Sequence, residues 1–351
     1  MKRRFTGATL FGLGVLCLLV AGALAWIIVP SQRKVPLDLV PPDTVVEATN
    51  ATFAQAQLGP DGAPQLTVEN AGLRTITGIK PDFEAAAELT GDRAGNTVIW
   101  NVYHATDRTD TGAAINRSES RIALDRESGA AVSWAGQCHN ETQEDPAQNI
   151  ACAPGNVDFE GQLYLFPFGT QKETYLYWDS ALHEALPMQY QDEEEYNGLP
   201  TYRFQQEIPD QVIEMEPQQL SALLGFLTPG STTGSVTYRA TRTLWVEPET
   251  GAIVGYREQQ HRELVPTVGT PVVIFDADMS YDQATLEAVH EEASSGRTML
   301  LVLGVYVPIM LAVVGVLLAV LGYLLARRDR RPQRPLPAYA AEEPETTRAQ
   351  A

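Results

Sequence analysis

Residues 298–325 read TMLLVLGVYVPIMLAVVGVLLAVLGYLL, 28 positions without a charge. At about 1.5 Å of rise per residue this run outreaches the ~30 Å hydrocarbon core of a bilayer. Backbone in lipid must satisfy its own N–H and C=O groups, so the segment is expected to be a membrane helix. Arg327, Arg328, Arg330 and Arg331 follow it. The N-terminus repeats the pattern in reverse, with Lys2, Arg3 and Arg4 ahead of an uncharged run over 5–29. Ala23-Leu24-Ala25 has the small-x-small form of a leader cleavage site. The apolar run continues past it through Trp26, Ile27 and Ile28, which favours an uncleaved anchor over a cleaved leader. Basic residues lie beyond the outer end of each span, placing both termini in the cytoplasm of a two-pass plasma-membrane protein. Five segments result: a cytoplasmic N-terminus (1–4), a first transmembrane helix (5–29), an extracytoplasmic domain (30–297), a second transmembrane helix (298–325) and a disordered, Pro/Arg-rich cytoplasmic tail (326–351).

Residues 30–297 hold 40 acidic and 16 basic residues, a net charge of −24. That balance argues against nucleic acid as a partner and against attraction to an anionic surface. Of three cysteines, Cys17 lies in the first span as a small hydrophobe. Cys138 and Cys152 flank a polar stretch in the oxidising compartment and are expected to form a disulfide. His139 alone does not supply the further ligands a zinc site needs. Asn50-Ala-Thr52, Asn116-Arg-Ser118 and Asn140-Glu-Thr142 match the glycosylation sequon, which matters only in a cell with the machinery.

Strand signals dominate the exterior part: alternation and β-branched or aromatic residues at 97–104 (TVIWNVYH), 174–178, 201–205, 234–246, 252–256 and 272–276. Residues 121–134 (RIALDRESGAAVSW) read as a hairpin, with Gly129 suited to positive φ. A helix is expected within 211–227, and another from Asp282 or Thr285 through Glu292. RIALDRESGAAVSWAGQ (121–137) aligns without gaps on TLWVEPETGAIVGYREQ (243–259), which leaves two readings open: a recurrent turn grammar, or a duplication giving two curved-sheet units with facing apolar sides. The expected class is mainly β with some α, an antiparallel extracytoplasmic domain between two transmembrane helices.

NGLPTYRF followed by RTLWVEPETGAIVGYREQ resembles the strand-and-hairpin phrase of lipoprotein-carrier folds, which hold acyl chains between a curved sheet and a helical lid. The fuller plan is similar to the actinobacterial PorA-type porin family of cell-envelope proteins: anchor, β-rich exterior domain carrying LFPFGTQKETYLYWD and EEYNGLPTYRF, second anchor and basic tail. That resemblance implies no catalytic residues. In layout alone the chain also resembles class B scavenger receptors. A transmembrane barrel needs strands of about ten residues with an apolar outward face. The strands expected here are short and charged on both sides, and neither span carries an ionisable residue to favour an ion path.

No nucleophile elbow, phosphate loop, HExxH or dinucleotide fingerprint is present. The five histidines are scattered without metal-ligand spacing, Asp276, Asp278 and Asp282 lack the glycine of a calcium loop, and Asp192-Glu-Glu-Glu195 reads as a solvated loop. The expectation is a non-enzyme with no cofactor and no metal. Trp100, Tyr164, Tyr177, Phe204 and Trp245 are the candidate lining of an apolar cavity, with a helix inside 211–227 as its lid. On that reading the domain binds or hands over an envelope lipid or other apolar small molecule. A scaffold that assembles other envelope proteins is the alternative, and an oligomeric pore a third reading.

Overall fold

The computed structural model describes residues 2–58, 62–141 and 152–328. Most of the expected tail, together with Met1 and Thr142 of the third sequon, lies outside the described residues. The chain forms two compact units, Met1–Pro30 with Val302–Ala351, and Ser31–Leu301.

In the first unit, α1 (Lys2–Ala23) continues through a π-helical turn (Leu24–Ile28) into α2 (Val29–Gln32). Two helices, over Phe5–Ser31 and Gln283–Arg327, are long and apolar enough to cross a membrane. Among the described residues of α1, the buried positions Gly7, Gly14 and Ala21 recur every seventh residue, and Gly7 and Gly14 face Gly322 and Gly315 of the antiparallel C-terminal helix (Val307–Arg328). Backbones touch along this seam: a Cβ placed on Gly14 would lie 2.5 Å from Ala319 N and 2.6 Å from Gly315 O. In lipid such packing, rather than hydrophobicity, drives association. Small residues spaced four apart, Ala8 with Gly12 and Gly315 with Ala319, are the sequence signal for such pairing. The second pair lies on the seam, whereas a Cβ on Gly12 would meet nothing within 4 Å.

The second unit is built on one curled antiparallel sheet. Its strands are β1 (Thr44–Leu58), β2 (Pro64–Pro81), β3 (Thr97–Arg108), β4 (Ala114–Asp125), β5 (Cys138–Glu141), β6 (Tyr175–Asp179), β7 (Glu184–Tyr196), β8 (Leu199–Ile213), β9 (Gly234–Val246), β10 (Ile253–Pro266) and β11 (Val272–Tyr281). They are ordered β5-β4-β3-β2-β1-β11-β10-β9-β8-β7-β6. Two five-strand meanders, β1–β5 and β6–β10, are thus joined through β11, and the edges are β5 and β6. What the internal similarity leaves open as two facing units is one continuous sheet. The expectation of short strands is corrected: β1, β2 and β8 run 15, 18 and 15 residues. The acidic run is strand rather than loop, because β7 places Asp192 against Arg203 and Glu193 against Lys172. Asn197 and Gly198, both at positive φ, make the two-residue turn between β7 and β8.

The two similar stretches do share one turn. Asp125 Oδ1 accepts from the Glu127 and Ser128 amides, and Glu247 accepts from the Glu249 and Thr250 amides. Gly129 and Gly251 then sit at φ 69° and 73°. Only the second turn leads into a full hairpin partner, β10; after the first, Ala131 makes a single bridge to Leu124. Both turns abut Leu165 and Phe166, in the segment that joins the halves. Of the shorter helices, α3 (Phe83–Ala87) is capped by Asp82. The helix α4 (Pro217–Leu227) packs Leu220, Leu223, Leu224 and Leu227 on Ile208, Val236, Tyr238 and Leu264. The helix α5 (Gln283–Leu301) begins where Asp282 Oδ1 accepts from the Thr285 amide, and lays Val289 and Ala293 against Leu199 and Val254.

Candidate functional site

Period-two alternation along β9 turns Tyr238, Ala240, Arg242, Leu244 and Val246 to one buried face. An arginine in that series is the exception that organises the interior. Gln206 of β8 and Glu258 of β10 are its direct cross-strand neighbours. The Arg242 guanidinium donates to Gln206 Oε1 at 2.5 Å, to Glu258 Oε1 at 2.5 Å and to Asp179 Oδ2 at 3.3 Å. Asp179 ends the edge strand β6, so this last contact reaches across the curl. Its other oxygen accepts from the Ala181 and Leu182 amides, each at 3.0 Å, and Tyr238 OH donates to Oδ2 at 2.8 Å. Tyr256 OH donates to Glu258 Oε2. Gln206 Nε2 completes the network by donating to the Tyr177 and Leu186 carbonyls, at 2.9 and 3.1 Å.

The arrangement fits the electrostatics of burial. Desolvation disfavours the Arg242 charge, but Glu258, with Tyr256, Tyr177 and Asp179, outweighs it and holds the guanidinium pKa well above its ordinary value. Burial pushes the Tyr177 hydroxyl up to about 12 and raises those of Tyr238 and Tyr256 well above the ordinary phenol value. Two buried carboxylates around one guanidinium are tolerable only with their remaining lone pairs bonded, as they are here. The network has no open coordination position; it fastens β6 to β8, β9 and β10.

The five candidate lining residues do not share one space. Trp100 is fully buried among Val98, Val102, Ile122, Leu124 and Trp178, with the Tyr164 ring 6.4 Å away. Tyr177 and Phe204 belong to a second cluster with Phe166, Met188 and Leu244. The Tyr177 hydroxyl donates to Leu163 O at 2.7 Å, and its ring lies 5.2 Å from the Arg242 guanidinium. Trp245 stacks on Tyr196 at 4.7 Å beside α5 and donates its Nε1–H to Glu194. The groove along α4 is open and lined by Pro217, Gln218, Ser221, Ala222, Gly225 and Phe226, none of the five. The helix expected as a lid instead closes one end of the packed sheet, and Gln211–Ile213 are strand.

Cys138 and Cys152 form the expected disulfide. Among the described residues, no three His, Cys, Asp or Glu side chains are grouped to hold a metal. Asp276 instead contacts His261 at 2.6 Å, Asp278 pairs with Arg257 at 2.6 Å, and Asp282 caps α5. Sequence reasoning passed over Asp179, Gln206, Arg242 and Glu258. The available signal was Arg242 itself, standing at apolar parity between Ala240 and Leu244.

The family model described as Porin PorA matches residues 6–324. A relative named Porin PorA from Corynebacterium resistens is 23% identical over 95% of this chain and 98% of its own length. Another Porin PorA, from Corynebacterium amycolatum, is 24% identical over 60% of this chain and 58% of its own length.

Proposed function

The chain belongs to the Porin PorA family, and from that premise we propose that it is a two-pass, non-enzymatic envelope protein whose exterior domain is a recognition and assembly module. The supporting observation is the filled interior of that domain. Aromatic clusters and the Asp179–Arg242–Glu258 network occupy the space that an acyl chain would need, so lipid handover is not carried forward. The partners on this reading are the membrane and other envelope proteins, with both chain ends cytoplasmic as the flanking basic residues dictate.

The relatives' name favours a second reading, a pore. The strands cannot form its wall, because β7 presents Asp192, Glu193, Glu194 and Glu195 to solvent. A path would then run between the membrane helices of several copies. Purified full-length protein reconstituted into a planar bilayer separates the readings. Stepwise conductance, together with crosslinked oligomers of the helices, supports the pore. A silent bilayer, with envelope proteins crosslinked in cells to the exterior domain, supports the assembly module.

A further inference from the structure

Three of the chain's five histidines converge where the sheet fails to close. His104 is on β3, His139 on the edge strand β5, and His183, at φ 53°, in the turn after the other edge strand β6. The imidazoles interact electrostatically in series, His104 with His139 and His139 with His183. Each also holds a different part of the seam. His104 Nδ1 shares a hydrogen bond with Thr77 Oγ1 of β2 at 2.8 Å, and its Nε2 lies 3.5 Å from Tyr164 OH in the segment that fills the gap. His139 Nδ1 lies 2.9 Å from Ser120 Oγ of β4, and Asn156 clasps its backbone from both sides, at 2.9 and 2.7 Å. His183 stacks on Trp178 of β6 at 6.4 Å.

Backbone hydrogen bonds cross the seam beside the apolar cluster of Trp100, Phe159 and Trp178. Ala131 N donates to Gly161 O, Gln162 N to Leu176 O, and Trp178 N to Gln162 O. We propose that this seam is an acid-responsive clasp, in which protonation of His104 and His139 frees Tyr164 and parts the β5 and β6 sides while the Arg242 network keeps β6–β10 together. The charged and titratable groups facing the cluster are few. From β5 comes Glu141, which favours the His139 charge; from the gap segment comes Tyr164, whose hydroxyl pKa burial raises; β2 and β4 present only Thr77, Ser118 and Ser120.

The direction follows from burial. It lowers the His104 pKa to about 4, with His139 adding to the effect, and lowers that of His139 as well. In an opened seam both return to an ordinary value near 6.5. The opened form therefore binds more protons between pH 6.5 and 4, so falling pH favours it.

The test is hydrogen exchange by mass spectrometry on the full chain in lipid nanodiscs at pH 7 and pH 4.5, corrected for intrinsic rates. Amides 131 and 161–178 are expected to lose at least tenfold in protection relative to β9 and β10. His139→Gln, at a partly exposed site, is expected to lose part of that difference while keeping pH 7 protection. His104→Gln should lose most of it, and serves as the independent variant. Equal protection of the seam at both pH values, uniform loss across β9 and β10 as well, or an undiminished pH effect in folded variants would overturn the proposal.

Discussion

Replacing Arg242 by methionine tests whether the interior network holds the curl. The side chain is 8% exposed, and its removal strands Asp179 and Glu258, themselves 1% and 4% exposed, without a cation, and leaves Gln206 Oε1 without its donor. Breaking a buried ion pair from one side costs about 3–5 kcal/mol, because the surviving charge stays desolvated. Two stranded carboxylates place Arg242→Met at the upper end of that range, about 5 kcal/mol. Urea unfolding of the detergent-solubilised chain, followed by tryptophan fluorescence, reads the loss, since Trp100 and Trp178 are core residues. Arg242→Met combined with Glu258→Leu is expected to recover part of it. Asp179 then keeps Tyr238 and two backbone amides as donors, and the second stranded charge is gone. A single variant within about 1 kcal/mol of the parent, or a double variant whose loss equals the sum of its parts, would refute the reasoning.

Leucine at Gly14 should reduce cysteine crosslinking between the two membrane helices, because its Cβ would meet Ala319 N and Gly315 O, while Gly12→Leu should leave crosslinking unchanged. Serine at both Cys138 and Cys152 should destabilise the exterior domain by about 3 kcal/mol, the chain-entropy value for so short a loop, measured by the shift of the urea midpoint. Alkaline titration followed at 295 nm should show Tyr177 ionising near pH 12 rather than 10. A phenol whose folded pKa is raised stabilises the fold fully below pH 10, and that contribution is lost as pH climbs toward 12. Ionisation of all the exterior tyrosines near pH 10 without unfolding would contradict it.

Strands β3, β6 and β8–β11 were legible because their inward positions are large and apolar against polar neighbours. The first two strands were not. The bulge of β1 between Ala48 and Ala51 shifts its alternation in mid-strand, and both inward alanines are buried at 2% and 0% with little hydrophobic contrast. β7 hid for the opposite reason, since all four residues of its acidic run face water and erase the alternation that marks a strand. The disulfide was legible from compartment and spacing alone. Trp100, Tyr177, Phe204 and Trp245 lie on strands as expected, whereas Tyr164 lies in the segment between β5 and β6; which of them share a space depends on how far the sheet curls, and no local pattern encodes that.

The internal similarity carries one step further than a shared turn. Continued at the same offset of 122 positions, it sets Ile122 and Leu124 on Leu244 and Val246, all inward and buried at 0%. It also sets Ser120 on Arg242, and His139 on His261. Equivalent inward positions have therefore diverged in kind. In the second half the position holds a guanidinium bonded to two carboxylates, and its paired strand is full length. In the first half it holds a serine hydroxyl bonded to a histidine, and the paired strand β5 is four residues long. A guanidinium keeps its charge across every pH the protein meets, whereas an imidazole gains one as the pH falls. The half built around Arg242 is thereby fixed, and the half built around Ser120 and His139 is the one whose edge can respond to acid. The asymmetry lies in those side chains and in the length of the strand paired with them, which is why the shared turn pattern alone could show the repeat but not the difference in what each half does.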